Sequence, residues 1–204
     1  VALSSTKDVQ DAILADTGRS RHVDVIDIRY WTYTEGGELY APPGGKHLSP
    51  RQHLRQLKPA ATSFASIARS IREYRRRFPN KAVTYNAHIH CRAKRDGWAV
   101  LMGGGSLPNA PKLSRTLSEA IVKMSPRERI KLNEGQWCLS REDREYLIYS
   151  RGTEPTPIQL EPGTDWEWCS VNPKSGRAES FKQATNAVIP VDRDTNIIWA
   201  RRIE

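Results

Sequence analysis

The side chains able to do chemistry gather at the ends of two apolar stretches. Asp27 lies in ValIleAspIleArgTyrTrp at 25–31, and Asn86, His88, His90 and Arg92 crowd the end of LysAlaValThrTyrAsnAlaHisIleHisCysArg at 81–92. A positioned carboxyl is a general acid or base, which makes Asp27 the candidate catalytic group, with Asp96 the nearest alternative. Arg29 two residues on offers a competing reading, a structural ion pair, because a neighbouring guanidinium favours the charged carboxylate. His88 and His90 alternate and so share one face of a strand, an arrangement that could supply two metal ligands. A third ligand is not evident, although His47 and His53 in the loop could complete a site; His-x-His alone is a weak signal, and no metal or other cofactor is expected. Ordinary hydrogen-bonded histidines, or polar recognition of a ligand by Asn86, His88, His90 and Arg92, are the other readings. Tyr30, Trp31, Tyr33 and Tyr40 form the densest aromatic group, whose rings could stack on a ligand or pack the core. Tyr30 and Trp31 point to opposite strand faces, so one of them at most faces a cleft.

The elements that must position these residues alternate helix and strand. Ser5 with Asp8 three residues later is a capping-box variant, and Val9, Ala12 and Ile13 give an apolar stripe, so a helix is predicted over 5–15, ending before Gly18. A β-branched and aromatic strand follows at 23–31, then a polar, Gly-rich segment from Thr32 to Ala61, long enough to be a cleft wall. Glu35 and Glu38 in it read as solvated. Thr62 or Ser63 caps a helix to Phe78, on which Phe64, Ile67, Ala68, Ile71, Tyr74 and Phe78 recur at helical spacing, and a strand follows at 81–90. This is a β-α-β unit, whose ligands sit at the carboxyl ends of parallel strands, here Asp27 to Trp31 and Asn86 to His90. A helical segment is expected at 97–102, a turn into a short buried strand at 103–107, and further helices to about Leu132. Beyond Gly135 the pattern changes to short strands, at 137–139, 146–149, 157–160, 166–171, 187–190 and 196–200, with AsnProLysSerGly at 172–176 as a hairpin turn. About 70 residues of such strands indicate a small all-β antiparallel sandwich.

The charge distribution marks the same division. The formal net charge is +9; residues 1–132 hold 23 Lys and Arg against 11 Asp and Glu, net +12, whereas 133–204 are net −3. Two domains, 1–132 and 133–204, are expected. A basic chain attracts anions, nucleic acid included. The largest basic cluster, ArgGluTyrArgArgArg at 72–77, nevertheless falls on the polar face of the amphipathic helix without a recognition motif or a stacking platform, so a nucleic-acid partner is not expected. Nor is a membrane partner: the longest uncharged run, Gly97 to Pro111, is broken by three glycines and two prolines. Cys91, Cys138 and Cys169 are too few for a disulfide framework; Cys138 and Cys169, both in strand-like runs, could pair across a sheet or remain buried thiols. The first ten residues lack both the basic and the apolar region of a signal peptide, and the chain reads as part of something longer.

TrpCysLeu at 137–139, GluTyrLeuIleTyr at 145–149, the Trp-rich strand at 166–171, AsnProLysSerGly and IleIleTrpAlaArgArgIle at 197–203 together resemble the collagen-binding-type β-domain that ends bacterial glycoside-hydrolase-like proteins. That name is no argument for collagen, because the segment lacks a basic run or an extended aromatic groove. ValIleAspIleArgTyrTrp, TyrAlaProProGlyGly, ArgGlnHis, ArgGluTyrArg and GlyTrpAlaValLeuMetGlyGlyGlySerLeuPro resemble the last strands and helices of the TIM barrel that precedes it in a family of secreted bacterial proteins. The resemblance implies an α/β fold, the last β/α units of a (β/α)8 barrel over 1–132 followed by the β-domain, with a carbohydrate as substrate or ligand and an extracellular or periplasmic location. A full barrel needs about 250 residues. The resemblance therefore implies that strands six to eight are present, and that the acid/base residue such enzymes carry after strand four lies on an upstream part of the same polypeptide. Retaining glycosidases need two carboxyl groups about 5–5.5 Å apart and inverting ones about 6.5–9.5 Å. Where related barrels carry the nucleophilic Glu, at the end of strand seven, this chain has Asn86, which argues against retaining chemistry. Two functions remain: a glycoside-hydrolase-like protein with Asp27, Arg29, Trp31, Asn86, His88 and Arg92 in the cleft, or a non-catalytic carbohydrate- or protein-binding module with a degenerate barrel.

Overall fold

The computed structural model describes residues 1–40, 62–86, 94–126, 132, 134–151, 157–191 and 196–203. The candidates His88, His90 and Arg92, like His47, His53 and Cys91, lie outside the described residues. The chain forms two compact units, Val1–Asn109 and Ala110–Glu204.

In the first unit, β1 (Ala2–Ser4), β2 (Val25–Ile28) and β5 (Ala82–Tyr85) make a parallel sheet in the order β1-β2-β5. The crossovers are α1 (Lys7–Ala15) with the short α2 (Thr17–Ser20), and then a hairpin of β3 (Thr32–Tyr33) and β4 (Leu39–Tyr40) followed by α3 (Phe64–Arg77). Helix α3 forms where its apolar stripe predicts: Ser63 caps it, its Oγ accepting from the Ser66 amide at 3.1 Å, and Ile67, Ala68, Ile71 and Tyr74 are buried. It packs on β2, β3, β5 and α4 (Lys94–Met102). The α/β class thus holds, as a mixed α/β fold; its parallel strands form an open sheet, with no closed barrel among the described residues.

Two expected elements differ. The strand predicted at 23–31 ends at Ile28, because residues 29–31 leave the sheet and carry Trp31 toward the helices. Residues 103–107 form a turn rather than a buried strand; Leu107 is exposed with φ at +53°, and one bond, from the Ser106 amide to Val83 O at 2.7 Å, ties the turn to β5. Gly103 stands so close to α3 that a Cβ there would lie 2.9 Å from both Ala68 O and Ile71 Cβ.

The second unit opens with α5 (Arg115–Val122), capped by Ser114, and continues with β6 (Ser125–Pro126), β7 (Gln136–Arg141), β8 (Glu145–Ser150), β9 (Ile158–Gln159), β10 (Trp166–Val171), β11 (Lys182–Gln183), β12 (Val188–Ile189) and β13 (Asn196–Arg202). Six of these strands form one antiparallel sheet, β11-β10-β13-β8-β7-β6, while β9 and β12 pair separately as a ribbon. Cys138, Tyr146, Ile148, Trp166, Ile198 and Ala200 from the sheet share a core with Ile158, Leu160, Ala187, Ile189 and Val191. In place of the second full sheet of a sandwich, the described residues supply this two-stranded ribbon. The 172–176 turn is set by Asn172, whose Oδ1 accepts from the Lys174 and Ser175 amides at 2.9 Å each, and by Gly176 at φ +74°.

The Cys138–Cys169 pairing does not occur. Across β7-β8-β13-β10, Cys138 stands in the row of Ile148, Ile198 and Ser170, whereas Cys169 stands in the next row with Leu139, Leu147 and Trp199. Adjacent rows face opposite sides of a sheet, so the thiols point apart, and both are free and buried. Burial pushes the Cys169 thiol up to about 11, which keeps it protonated near neutrality.

Gly103→Ala is expected to lower stability by about 1–3 kcal/mol through overpacking against the α3 backbone, read as a fall in the urea midpoint; an unchanged midpoint would show that the approach is not this close.

Candidate functional site

Asp27 occupies the carboxyl end of β2, the central strand of the parallel sheet. In-register pairing sets Thr84 of β5 beside it, the ladder carried on by Asn86 places that residue on the same side, and Arg29, just past the end of β2, turns back to pair with Asp27. The contacts follow from that register. Asp27 Oδ1 accepts from Thr84 Oγ1 and Asn86 Nδ2, each at 2.9 Å, and Oδ2 faces Arg29 Nε at 3.1 Å. The Asn86 amide also donates to Ile28 O at 2.8 Å, which extends the ladder by one residue past β5. Asp27 is 6% exposed, whereas Asn86 is exposed and the Arg29 side chain is half exposed. The result is a buried carboxylate that fixes two polar groups at the surface. Three of the expected site residues, Asp27, Arg29 and Asn86, are thereby brought together.

Trp31 is not with them. It is 1% exposed, its ring meeting Tyr33 and Tyr74 edge-on at centroid distances of 5.9 and 5.6 Å, with Lys7 Nζ 5.1 Å from its centroid. Of the two readings for this aromatic, core packing describes its place. Tyr33 is buried too, its hydroxyl donating to Glu73 at 2.8 Å and its ring lying 4.0 Å from the Arg69 guanidinium carbon, so the start of the 32–61 segment is pinned to α3. Residues 41–61 of that segment lie outside the described residues.

The residue behind this arrangement is Gln10, which periodicity alone marks as merely polar. It is fully buried on α1, and its Nε2 donates to Leu3 O at 3.0 Å and to Asp27 O at 2.8 Å. Its Oε1 accepts from Trp31 Nε1 at 2.7 Å, with Tyr74 Oη 3.4 Å away. One carboxamide thus joins α1 to the carboxyl ends of β1 and β2 and to the segment after β2. The only sequence signal is a polar side chain on the side of α1 that also carries Leu14 at i+4.

Lys7 lies one helical turn before Asp11 and is held by Asp11 Oδ2 at 2.6 Å and Glu73 Oε1 at 2.7 Å, over the rings of Trp31 and Tyr74. Burial works to lower its pKa, but the two carboxylates outweigh it and hold the ammonium above its ordinary 10.5. Burial and Asp11 push the Tyr74 phenol far above its usual range, and burial and Glu73 raise that of Tyr33. Among the described residues no group of His, Cys, Asp and Glu could hold a metal ion, and no helix is long and apolar enough to cross a membrane.

The family profile described as "Domain of unknown function (DUF6298)" matches residues 1–124. The chain belongs to this family. No curated protein matches the DUF6298 chain. Solved structures similar to it include a GH30 endoxylanase from Clostridium papyrosolvens C71, at 11% identity with a TM-score of 0.47 over all of this chain and 56% of that one. A second, named glycoside hydrolase, shows 9% identity and a TM-score of 0.47 over 92% of this chain and 54% of its own. The DUF6298 chain spans little more than half the length of each.

Gln10→Met keeps the side-chain volume but takes the acceptor from the buried Trp31 N–H and a donor from two strand carbonyls, and is expected to cost about 2–4 kcal/mol in denaturant unfolding. For Lys7 the sign is set by its raised pKa: its stabilisation is fully present below about 10.5 and is lost as pH climbs through the raised value. The difference in melting temperature between the native chain and Lys7→Met should stay constant from about pH 7 to 10 and shrink above that; a difference that grew there would contradict the ion pairing.

Proposed function

We propose that the first unit is a carbohydrate-recognising module, glycoside-hydrolase-like in lineage, whose saccharide site is formed at the carboxyl ends of β2 and β5 by Arg29 and Asn86. The observation that carries this reading is the state of Asp27. Its partners among the described residues are three donors, from Thr84, Asn86 and Arg29, and no carboxyl. Glycoside hydrolysis requires a second carboxyl group within about 5–9.5 Å, and a carboxylate with donors on both oxygens is better suited to orienting Asn86 and Arg29 than to transferring a proton. An amide and a guanidinium fixed side by side supply directional donors of the kind that hold ring hydroxyls. The location also agrees with where open parallel sheets place their ligands.

Within this reading the sequence resemblance assigns residues 1–132 to the last part of a barrel and 133–204 to a C-terminal β-domain and makes the longer protein an extracellular or periplasmic one of a secreted bacterial type, and His88, His90 and Arg92 remain further candidates for saccharide binding. The competing reading makes Asp27 a catalytic group; its support is the burial of a carboxyl at a strand end.

Both are tested by affinity electrophoresis and reducing-end release on soluble xylan, glucan, mannan and galactan. Arg29→Ala and Asn86→Ala are expected to weaken retention on one of these at least tenfold, equivalent to about 1.4 kcal/mol, while Asp27→Asn, which keeps an oxygen acceptor for Thr84 and Asn86, weakens it less and alters no turnover. Unchanged retention in both surface variants would overturn the recognition reading, and loss of hydrolysis with retention intact in Asp27→Asn would establish the catalytic one.

A further inference from the structure

The row of the parallel sheet that carries Asp27 continues onto a third strand. Register pairs Ser4 of β1 with Asp27 of β2, and Asp27 with Thr84 of β5, so the three side chains stand in line on one face at the carboxyl ends of neighbouring strands. Ile26, Ile28 and Val83 take the opposite face and are fully buried, where α3 packs on β2 and β5. Two hydroxyls thus flank the same carboxylate, and they differ in state. Thr84 Oγ1 is half-buried and donates to Asp27 Oδ1 at 2.9 Å. Ser4 is exposed, and its hydroxyl has no partner among the described residues; Asp27 Oδ1 already accepts from Thr84 and Asn86, and Oδ2 faces Arg29 Nε. The backbone under Ser4 is nonetheless tied down, since Gln10 Nε2 donates to both Leu3 O and Asp27 O and so holds β1 and β2 level at this end. An exposed hydroxyl on a fixed strand can donate and accept with little ordering cost. With Arg29 and Asn86 on the other two strands, exposed polar groups reach from β1 to β5, roughly 10 Å or two strand spacings. That span is wider than one pyranose ring.

We propose that Ser4 is a third contact residue of the first unit's site and that the site takes an oligosaccharide laid across the strand ends, from β1 to β5, rather than a single sugar. The role of Ser4 rests on the carbohydrate reading of that unit. Affinity electrophoresis of the whole chain on the same xylan, glucan, mannan and galactan tests it, with the free dimer and tetramer of the retained glycan as competitors. Ser4→Ala is expected to weaken retention about three- to tenfold, the worth of one hydrogen bond, on the glycan that Arg29→Ala and Asn86→Ala also release. Ser4→Thr, which keeps a hydroxyl on the strand, should be retained as the native chain is. Because Ser4 is exposed, neither variant should change the melting temperature. The tetramer should compete better than the dimer against the native chain, and Ser4→Ala should narrow that difference. Native retention of Ser4→Ala beside weakened Arg29→Ala and Asn86→Ala would overturn the role of Ser4 alone, as would equal weakening by Ser4→Thr. Equal competition by dimer and tetramer would overturn the oligosaccharide, and a native chain retained by none of the four glycans would overturn both together with the reading beneath them.

Discussion

A single buried carboxamide sets the geometry on which the first unit's polar site depends. Gln10 has no access to solvent, so both ends of its side chain must be satisfied within the protein. It meets this demand by donating to carbonyls at the ends of two strands and accepting from an indole beyond the second. Leu3 and Asp27 are themselves paired strand residues, so the carboxamide adds a side-chain donor to carbonyls within the sheet. Gln10 therefore ties α1 to β1, to β2 and to the segment after β2: beyond Ile28 the residues 29–31 leave the strand, Trp31 turns into the helical layer, and Arg29 stays beside Asp27.

The same logic makes Asp27 intelligible. Its backbone carbonyl is held from one side by Gln10 and its carboxylate from the other by Thr84, Asn86 and Arg29. Each of these partners is a donor, and the three on the carboxylate come from β2, β5 and the residues just beyond them, which parallel pairing has already placed. A carboxyl bound this way is costly to displace, since the buried carboxylate would lose three donors at once. It therefore positions its neighbours, and the residues left facing outward are the amide and the guanidinium.

Local pattern made much of this architecture readable. Helix α3 was legible because its apolar residues keep one face over four turns, and the strand Trp166–Val171 because β-branched and aromatic residues fill it between turn signals. The place of Asp27, Arg29 and Asn86 at neighbouring strand ends was legible from the β-α-β order. The illegible parts depend on partners distant in sequence. The loss of Trp31 from the cleft follows from a hydrogen bond across 21 residues. The separation of Cys138 from Cys169 is a matter of parity: one residue of register decides which face a side chain takes, and composition carries no trace of it. The turn at 103–107 looked like a buried strand because it is apolar and uncharged, yet Gly103 is there to let two helices approach, a requirement visible only once α3 lies against it.

Net charge proves the weaker guide to binding than the arrangement of charge. The most basic segment, on α3, is engaged within the first unit: Arg69 reaches Gly37 O at 3.1 Å and covers the Tyr33 ring, Arg75 donates to Lys81 O at 2.9 Å, and Arg77 pairs with Asp11 at 3.1 Å. Guanidinium groups that cap carbonyls and rings hold a helix in place and offer less to a phosphate backbone. In 133–204, where acidic residues outnumber basic ones, strand register alternates Arg141, Glu145, Arg201 and Glu167 along one row of the sheet, so that each of these guanidinium groups has a carboxylate beside it. In both halves of the sequence, then, arginines are paired or stacked within the fold, and net charge alone does not locate a binding surface.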